Sequence, residues 1–201
     1  MAPVRLAVLG DSIAYGTGCD SRSDTLGARL VAAFAAGGRE AALDVVAVPG
    51  ARSAHLAAQV RRALRRDPDV AVVVIGANDL ASLADPTQAA RALGDAVAAL
   101  TARGTRVVVA TAPDMSVVPG VPRALRPAVR EASAAYAVTQ ARAVAAAGGV
   151  AVALGTLLAP RFAGDLSLFA RDRYHPSSAG QAVIAEALAP YVLAAVAESA
   201  A

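Results

Sequence analysis

The chain has 201 residues, a length that suits one domain with a sizeable buried core. Hydrophobic residues make up 56% of it and charged residues 17%, so the composition excludes a disordered chain. All 19 basic residues are arginine, and the net charge is only +3. The absence of lysine excludes a Walker-type phosphate loop, Schiff-base chemistry and a Ser-Lys dyad.

Five apolar runs along the chain predict strands that are buried on both faces of a sheet, because polar residues hardly interrupt them. A helix-length stretch follows each run. The predicted strands are residues 4–9, 43–48, 70–76, 106–111 and 149–154, and the predicted helices are residues 24–38, 53–66, 86–103, 127–147 and 178–197.

This alternation of strands and helices predicts a parallel sheet with helices on both faces, which is a three-layer α/β/α sandwich. A doubly wound sheet of five strands suggests the flavodoxin-like order 2-1-3-4-5. The sequence contains no linker and no internal repeat, so a single domain over residues 1–201 is expected. In such sheets the functional crevice lies outside the carboxyl ends of the strands, and functional residues are expected in the loops there.

One segment, residues 143–160, carries no charge over 18 positions, which approaches the length of a membrane span. Glycines and Pro160 interrupt it, so it is interpreted as a helix end, a short strand and a loop. The first apolar run is too short for a signal peptide, and a cytoplasmic protein with no membrane span is expected. The arginine cluster at residues 61–66 contains no aromatic residue and indicates a solvated helix face rather than a nucleic-acid site. One cysteine and two histidines argue against a metal site.

Acyl transfer by a serine requires a histidine that accepts the hydroxyl proton, an acid that orients the histidine, and donors for the oxyanion. Ser12 follows the first predicted strand in the stretch GDSIAYGTG. His175 lies in the loop before the last helix, and Asp172 is three residues upstream, where a turn can bring carboxylate and imidazole together. The alternative interpretation of this stretch is an Asx-type turn with an incidental histidine.

Two further loop residues qualify as donors to an oxyanion. Asn78, the only asparagine, follows the third predicted strand and offers a side-chain amide. Gly50 can present its backbone N–H without a side chain in the way. Each is also compatible with a plain turn, since asparagine and glycine both favour turns. The neighbouring Asp11 and Asp79 would oppose an oxyanion, so they are expected to turn away and bind loop amides.

Together, the stretches GDSIAYG, VPGARS, GAND and DRYHP resemble the four blocks of the SGNH (GDSL-type) hydrolase family, in family order. This resemblance implies a serine esterase or lipase that needs no cofactor, with a catalytic triad of Ser12, His175 and Asp172. It also implies an oxyanion hole formed by the Ser12 N–H, the Gly50 N–H and the Asn78 side chain. The second block departs from the family pattern, because only its glycine is present.

The expected function is hydrolysis of small-molecule carboxylic esters with small to medium acyl groups, through an acyl-enzyme. The loop at residues 112–127 is long and is expected to cover the acyl site. The residues expected to form an apolar acyl pocket are Tyr15, Leu80, Met115 and Tyr174.

Two alternatives remain open at this point. An acyltransferase would use the same residues and the same acyl-enzyme. A non-catalytic flavodoxin-like module that binds phosphate or another ligand is the alternative of another class. The α/β-hydrolase nucleophile elbow is excluded, because here the serine follows the first strand and the acid lies only three residues before the histidine.

Overall fold

The computed structural model describes residues 2–197 of the chain. At its centre lies a sheet of five parallel strands in the order β2-β1-β3-β4-β5. The strands are β1 (Val4–Gly10), β2 (Ala41–Val45), β3 (Val70–Val74), β4 (Arg106–Ala110) and β5 (Val150–Val152). This sheet confirms the predicted strand order.

Helices cover both faces of the sheet, which confirms the predicted three-layer class. Helices α2, α7 and α8 pack on one face, and α3, α5 and α6 pack on the other. Two short helices, α1 and α4, follow β1 and β3 at the carboxyl edge. The helices are α1 (Ser12–Tyr15), α2 (Leu26–Ala36), α3 (Leu56–Ala63), α4 (Ala77–Ala81), α5 (Pro86–Thr101), α6 (Arg126–Ala146), α7 (Leu154–Gly164) and α8 (Ser178–Ala197).

Strand β3 shows why the apolar runs are continuous. All five of its residues are buried, and successive side chains enter opposite layers, as the period of a strand requires. Val70, Val72 and Val74 pack towards α2, α7 and α8, whereas Ala71 and Val73 pack towards α3, α5 and α6. Burial of each valine contributes about 1.5–3 kcal/mol, which favours this strand as the centre of the sheet.

The prediction of a loop after the last strand is wrong over residues 154–164, which form helix α7. The buried residues of α7, namely Leu154, Leu158 and Phe162, are four positions apart and therefore lie on one helix face. Pro160 lies inside the helix. Proline and glycine normally mark the end of a helix, which is why the sequence pattern favoured a loop here.

Helix α8 is the one helix within residues 2–197 that is long and apolar enough to cross a membrane. Half of its most apolar window is buried inside the fold. Leu188 and Val192 are completely buried in the core that α8 shares with the sheet. Within this domain α8 is therefore a core helix, and the cytoplasmic location stays a prediction.

Candidate active site

Ser12 is the first residue of α1, immediately beyond the carboxyl end of β1. Gly10 makes the turn possible, because it has a φ of +130° and a Cβ at this position would overlap the carbonyl oxygen of Val74. Asp11 caps α1, since its Oδ1 accepts a hydrogen bond of 2.9 Å from the Ile13 N–H. Ser12 thus lies at the start of a short helix on the functional edge of the sheet.

Two buried glutamines hold the loop at residues 10–18 from opposite layers; it is called the nucleophile loop after the role predicted for Ser12. Gln59 of α3 donates from Nε2 to the Gly10 carbonyl at 2.9 Å and accepts from the Gly10 N–H at 2.7 Å. Gln181 of α8 donates from Nε2 to the Ile13 carbonyl at 2.9 Å. Both side chains are almost completely buried, where hydrogen bonds to the backbone satisfy groups that water does not reach. Sequence reasoning missed these positioning residues.

Asp172 and His175 form a hydrogen-bonded pair on the loop before α8. Nδ1 of His175 lies 2.5 Å from Oδ2 of Asp172. Oδ1 of Asp172 accepts the backbone N–H groups of Tyr174 and His175, each at 3.0 Å. The hydrogen bond from His175 lowers the pKa of Asp172 to about 2, and the backbone donors act in the same direction. An ionised Asp172 accepts a hydrogen bond from Nδ1 of His175. Nδ1 therefore carries the ring proton, and Nε2 is left as the basic nitrogen.

The histidine loop contacts the nucleophile loop directly at Gly18. This glycine has a φ of +96°, and a Cβ there would overlap the Pro176 carbonyl oxygen and lie 3.2 Å from the Cβ of His175. Ser12 and His175 line one cavity, although no hydrogen bond joins the two side chains in the described part of the chain. Catalytic hydrogen bonds are often long before substrate binds, so this geometry is compatible with a serine–histidine pair.

Asn78 lies on α4, next to the loop that contains Gly50. Its Nδ2 donates to the Ala51 carbonyl at 3.0 Å, which uses one of the two amide hydrogens and leaves the other for a ligand. Gly50 is exposed, with a φ of +79° that favours glycine. This hydrogen bond therefore links α4 to the loop of Gly50, which together carry two of the three predicted oxyanion donors.

The carboxylates beside Ser12 and Asn78 bind loop amides, as expected. Asp79 accepts the Ser53 N–H at 3.0 Å and the Ser53 hydroxyl at 3.1 Å. The other oxygen of Asp11, Oδ2, is buried and has no hydrogen-bond partner within residues 2–197. Burial raises the pKa of Asp11 to about 7, and repulsion from Asp79 adds to the increase.

A third buried glutamine holds the loops that follow β3 and β4 at the carboxyl edge of the sheet. Gln140 of α6 donates to the Ile75 carbonyl at 3.1 Å and accepts from the Ala112 N–H at 2.7 Å. It therefore joins the loops that follow β3 and β4. Gly76 permits this approach, because a Cβ there would lie 2.8 Å from the Cβ of Ala112 and 3.0 Å from Nε2 of Gln140.

A mostly apolar cavity of about 80 Å³ opens beside Ser12 and His175. Met115 and Tyr174, two of the residues predicted for the acyl pocket, line it. Its cover is the segment at residues 113–118, which is the first part of the long loop after β4. The cavity is thus placed to receive one substituent of a molecule that reacts at Ser12.

The other two predicted pocket residues lie elsewhere. Tyr15 is 54% exposed at the end of α1. Leu80 packs against Tyr136 in a small cluster beneath α4. Neither belongs to the lining found in the described chain, so their prediction as pocket residues is corrected.

The second histidine is engaged locally, since Nδ1 of His55 accepts the Arg52 N–H at 2.9 Å. Over residues 2–197, no three histidine, cysteine, aspartate or glutamate side chains converge as a metal site would require. His175 is therefore the histidine that faces the cavity.

Comparison with known proteins identifies related chains. The model of the GDSL-like lipase/acylhydrolase family matches residues 8–183. A GDSL-like esterase from Mycobacterium tuberculosis is 40% identical over 189 residues, which are 92% of this chain. The chain spans only 60% of the length of that relative.

Solved structures share the fold at lower identity. An alpha/beta hydrolase enzyme from the metagenome of Lake Arreo, Spain, superposes with a TM-score of 0.77 and is 22% identical, with 98% of this chain and 97% of that chain covered. A catalytic mutant of an acetylxylan esterase from Geobacillus stearothermophilus has a TM-score of 0.73 and 18% identity, with 95% of both chains covered.

Proposed function

The chain belongs to the GDSL-like lipase/acylhydrolase family, and from this premise we propose that it hydrolyses carboxylic esters of small to medium acyl groups. The observation that carries the proposal is the hydrogen-bonded Asp172–His175 pair, which shares one cavity with the Ser12 hydroxyl. A nucleophile, a base and an orienting acid are the groups that acyl transfer requires.

In the proposed first step, Nε2 of His175 accepts the proton of the Ser12 hydroxyl while Oγ attacks the ester carbonyl carbon. Asp172 keeps the proton of the imidazole on Nδ1 and stabilises the imidazolium that forms. The pKa of Asp172, at about 2, keeps this carboxylate ionised over the working range of an esterase.

The negative charge that develops on the carbonyl oxygen needs donors. We assign these to the Ser12 N–H, the Gly50 N–H and the second hydrogen of the Asn78 amide. His175 then returns its proton to the leaving alcohol as the ester C–O bond breaks. Water attacks the resulting acyl-enzyme with His175 again as the base, which releases the acid and restores Ser12.

A nitrophenyl ester assay tests the proposal. Ser12→Ala removes the nucleophile, and kcat is expected to fall by about 10⁴–10⁶-fold. Asn78→Ala removes one oxyanion donor and is expected to lower kcat by about 10²–10³-fold. Ser23→Ala, at an exposed serine in the loop after α1, is the matched control and should keep full activity. Full esterase activity of Ser12→Ala would overturn the assignment.

Two alternatives give different results in the same assay. An acyltransferase would convert most of the ester to a new ester when an alcohol acceptor is added. A phosphate-binding module would cleave nothing, and it is disfavoured because Asp11 places a carboxyl group beside Ser12 and because the cavity is mostly apolar.

A further inference from the structure

We propose that one face of α7, formed by Leu154, Leu158 and Phe162, sets the length of the acyl chain that the enzyme accepts. The inference rests on the proposed ester hydrolysis at Ser12 and specifies the substrate class of that site. All three residues are buried and line the cavity that opens beside Ser12 and His175. That space is called the acyl cavity below.

Helix α7 leads inwards from the reactive edge. It begins two residues after β5, at the same edge of the sheet as Ser12. Near its other end, Arg161 pairs with Glu186 at 3.3 Å, and Glu186 lies about 12 Å along α8 from Ser178. Leu154 is therefore near the edge of the sheet that carries Ser12, and the second half of α7 lies farther from that edge.

The three side chains mark successive depths. Residues four apart share a helix face and are separated by about 6 Å along the helix axis. An acyl chain that enters beside Ser12 would pass Leu154, then Leu158, and reach Phe162 last. Phe169 packs edge-on against Phe162 with ring centroids 5.3 Å apart, and both rings line the acyl cavity.

The walls favour an alkyl chain over a polar one. Ile13, Val74 and Ile184 supply apolar surface. Two polar side chains on the wall have partners within the protein. The Thr111 hydroxyl donates to the Val152 carbonyl, and the Asp114 carboxylate accepts the Ser116 N–H and pairs with Arg130. No charged acyl substituent would be neutralised there.

The volume sets the expected length. About 10–15 Å³ of cavity volume is needed to hold one water molecule. The acyl cavity, at about 80 Å³, therefore accommodates roughly six atoms of carbon or oxygen size. A linear saturated acyl group of about four to eight carbons fits, and acetyl would leave most of the cavity unfilled. The structure thus points to short and medium fatty acyl esters as substrates.

A series of nitrophenyl esters from two to twelve carbons tests this inference by kcat/KM. The wild-type protein should prefer acyl groups near six carbons, with a gain of about fourfold per methylene up to that length. Leu158→Phe fills the middle of the cavity and should lower the ratio of kcat/KM for the hexanoyl ester to kcat/KM for the acetyl ester at least tenfold. Phe162→Ala opens the inner end and should move the preference towards longer chains by two carbons or more.

The matched control is Leu157→Phe, because Leu157 is 52% exposed and does not line the acyl cavity. Its chain-length profile should equal that of the wild type. Thermal denaturation shows in each variant that the protein is folded, and Phe162→Leu replaces Phe162→Ala if the latter does not fold. An unchanged profile in folded variants would overturn the role of α7 while leaving ester hydrolysis intact. If the wild-type protein cleaves none of the esters, or cleaves them equally well without Ser12, the proposed function itself is refuted.

Discussion

The nucleophile loop and the histidine loop meet at one cavity but are held in different ways. The residues around Ser12 are fixed by partners far away in sequence, since Gln59 lies 49 positions from Gly10. His175 is fixed by Asp172, which is three positions away and about half exposed. One half of the site is thus held by side chains from the protein core, whereas the histidine of the other half is held by a carboxylate of its own turn.

This difference shows which forces position each group. Buried hydrogen bonds to the backbone position the serine. Their loss leaves buried backbone groups with no hydrogen-bond partner, because water does not reach them. A single carboxylate positions the histidine, and its three hydrogen bonds all fall within residues 172–175. Substitutions in the two loops should therefore separate stability from catalysis.

Among the residues that hold Ser12 and His175 in place, the largest expected effect on rate lies in the histidine loop. Asp172→Asn replaces an acceptor for the Nδ1 proton with a group that also donates, so the imidazole loses its correct tautomer, and kcat should fall by roughly 10⁴-fold. Thermal denaturation should hardly change, because the side chain is exposed. Asp165→Asn, at an exposed aspartate that caps a neighbouring turn, is the control and should keep its activity. An active Asp172→Asn protein would show that the pair does not act in catalysis.

A smaller effect, on stability as well as rate, is expected in the nucleophile loop. Gln59→Leu leaves the buried Gly10 N–H without its acceptor, which should lower the free energy of unfolding by about 1–3 kcal/mol. Urea denaturation measures this change, and kcat measured where the variant is folded should also fall. Gln88→Leu on the exposed face of α5 is the matched control. Equal stability of the two variants would contradict the role of Gln59.

The smallest expected effect is a change in the pH dependence of stability. Burial raises the pKa of Asp11 to about 7, above its unfolded value, so the folded state binds the proton more tightly. The contribution of protonated Asp11 to the free energy of unfolding is fully present below pH 4 and is lost as the pH rises through 7. The wild type should therefore lose about 1 kcal/mol of stability relative to Asp11→Asn between pH 6 and pH 8.

Asparagine keeps the acceptor for the Ile13 N–H, so Asp11→Asn should retain the cap of α1. Urea denaturation at several pH values gives the difference, with Asp20→Asn at an exposed aspartate as control. Parallel stability curves for the wild type and Asp11→Asn would show that Asp11 is ionised at little cost.

The features that sequence reasoning predicted are local or follow from a general rule of parallel sheets. The five apolar runs indicated the strands because both sheet faces are covered. Asp172 and His175 were paired correctly because three residues of a turn are enough to join them. Ser12 and Asn78 were placed on one edge because the carboxyl ends of parallel strands meet there.

The features that it missed depend on contacts between distant segments. A buried glutamine such as Gln140 has no sequence signature, since its partners lie 28 and 65 positions away. Helix α7 was missed because Pro160 and its glycines are also typical of loops, and its single apolar face becomes decisive only against a sheet. Tyr15 has an apolar ring close to Ser12 in sequence, but it is 54% exposed at the end of α1 and does not line the cavity.

Gly18 has a consequence for how this protein tolerates change. The histidine loop packs directly on the backbone of the nucleophile loop at this position, where even a methyl group would collide with Pro176. Gly38 and Gly104 share its left-handed backbone but have free space around them. In a saturation library, position 18 should therefore be as intolerant as the three positions of the proposed triad, whereas positions 38 and 104 should accept substitutions at a cost in stability alone.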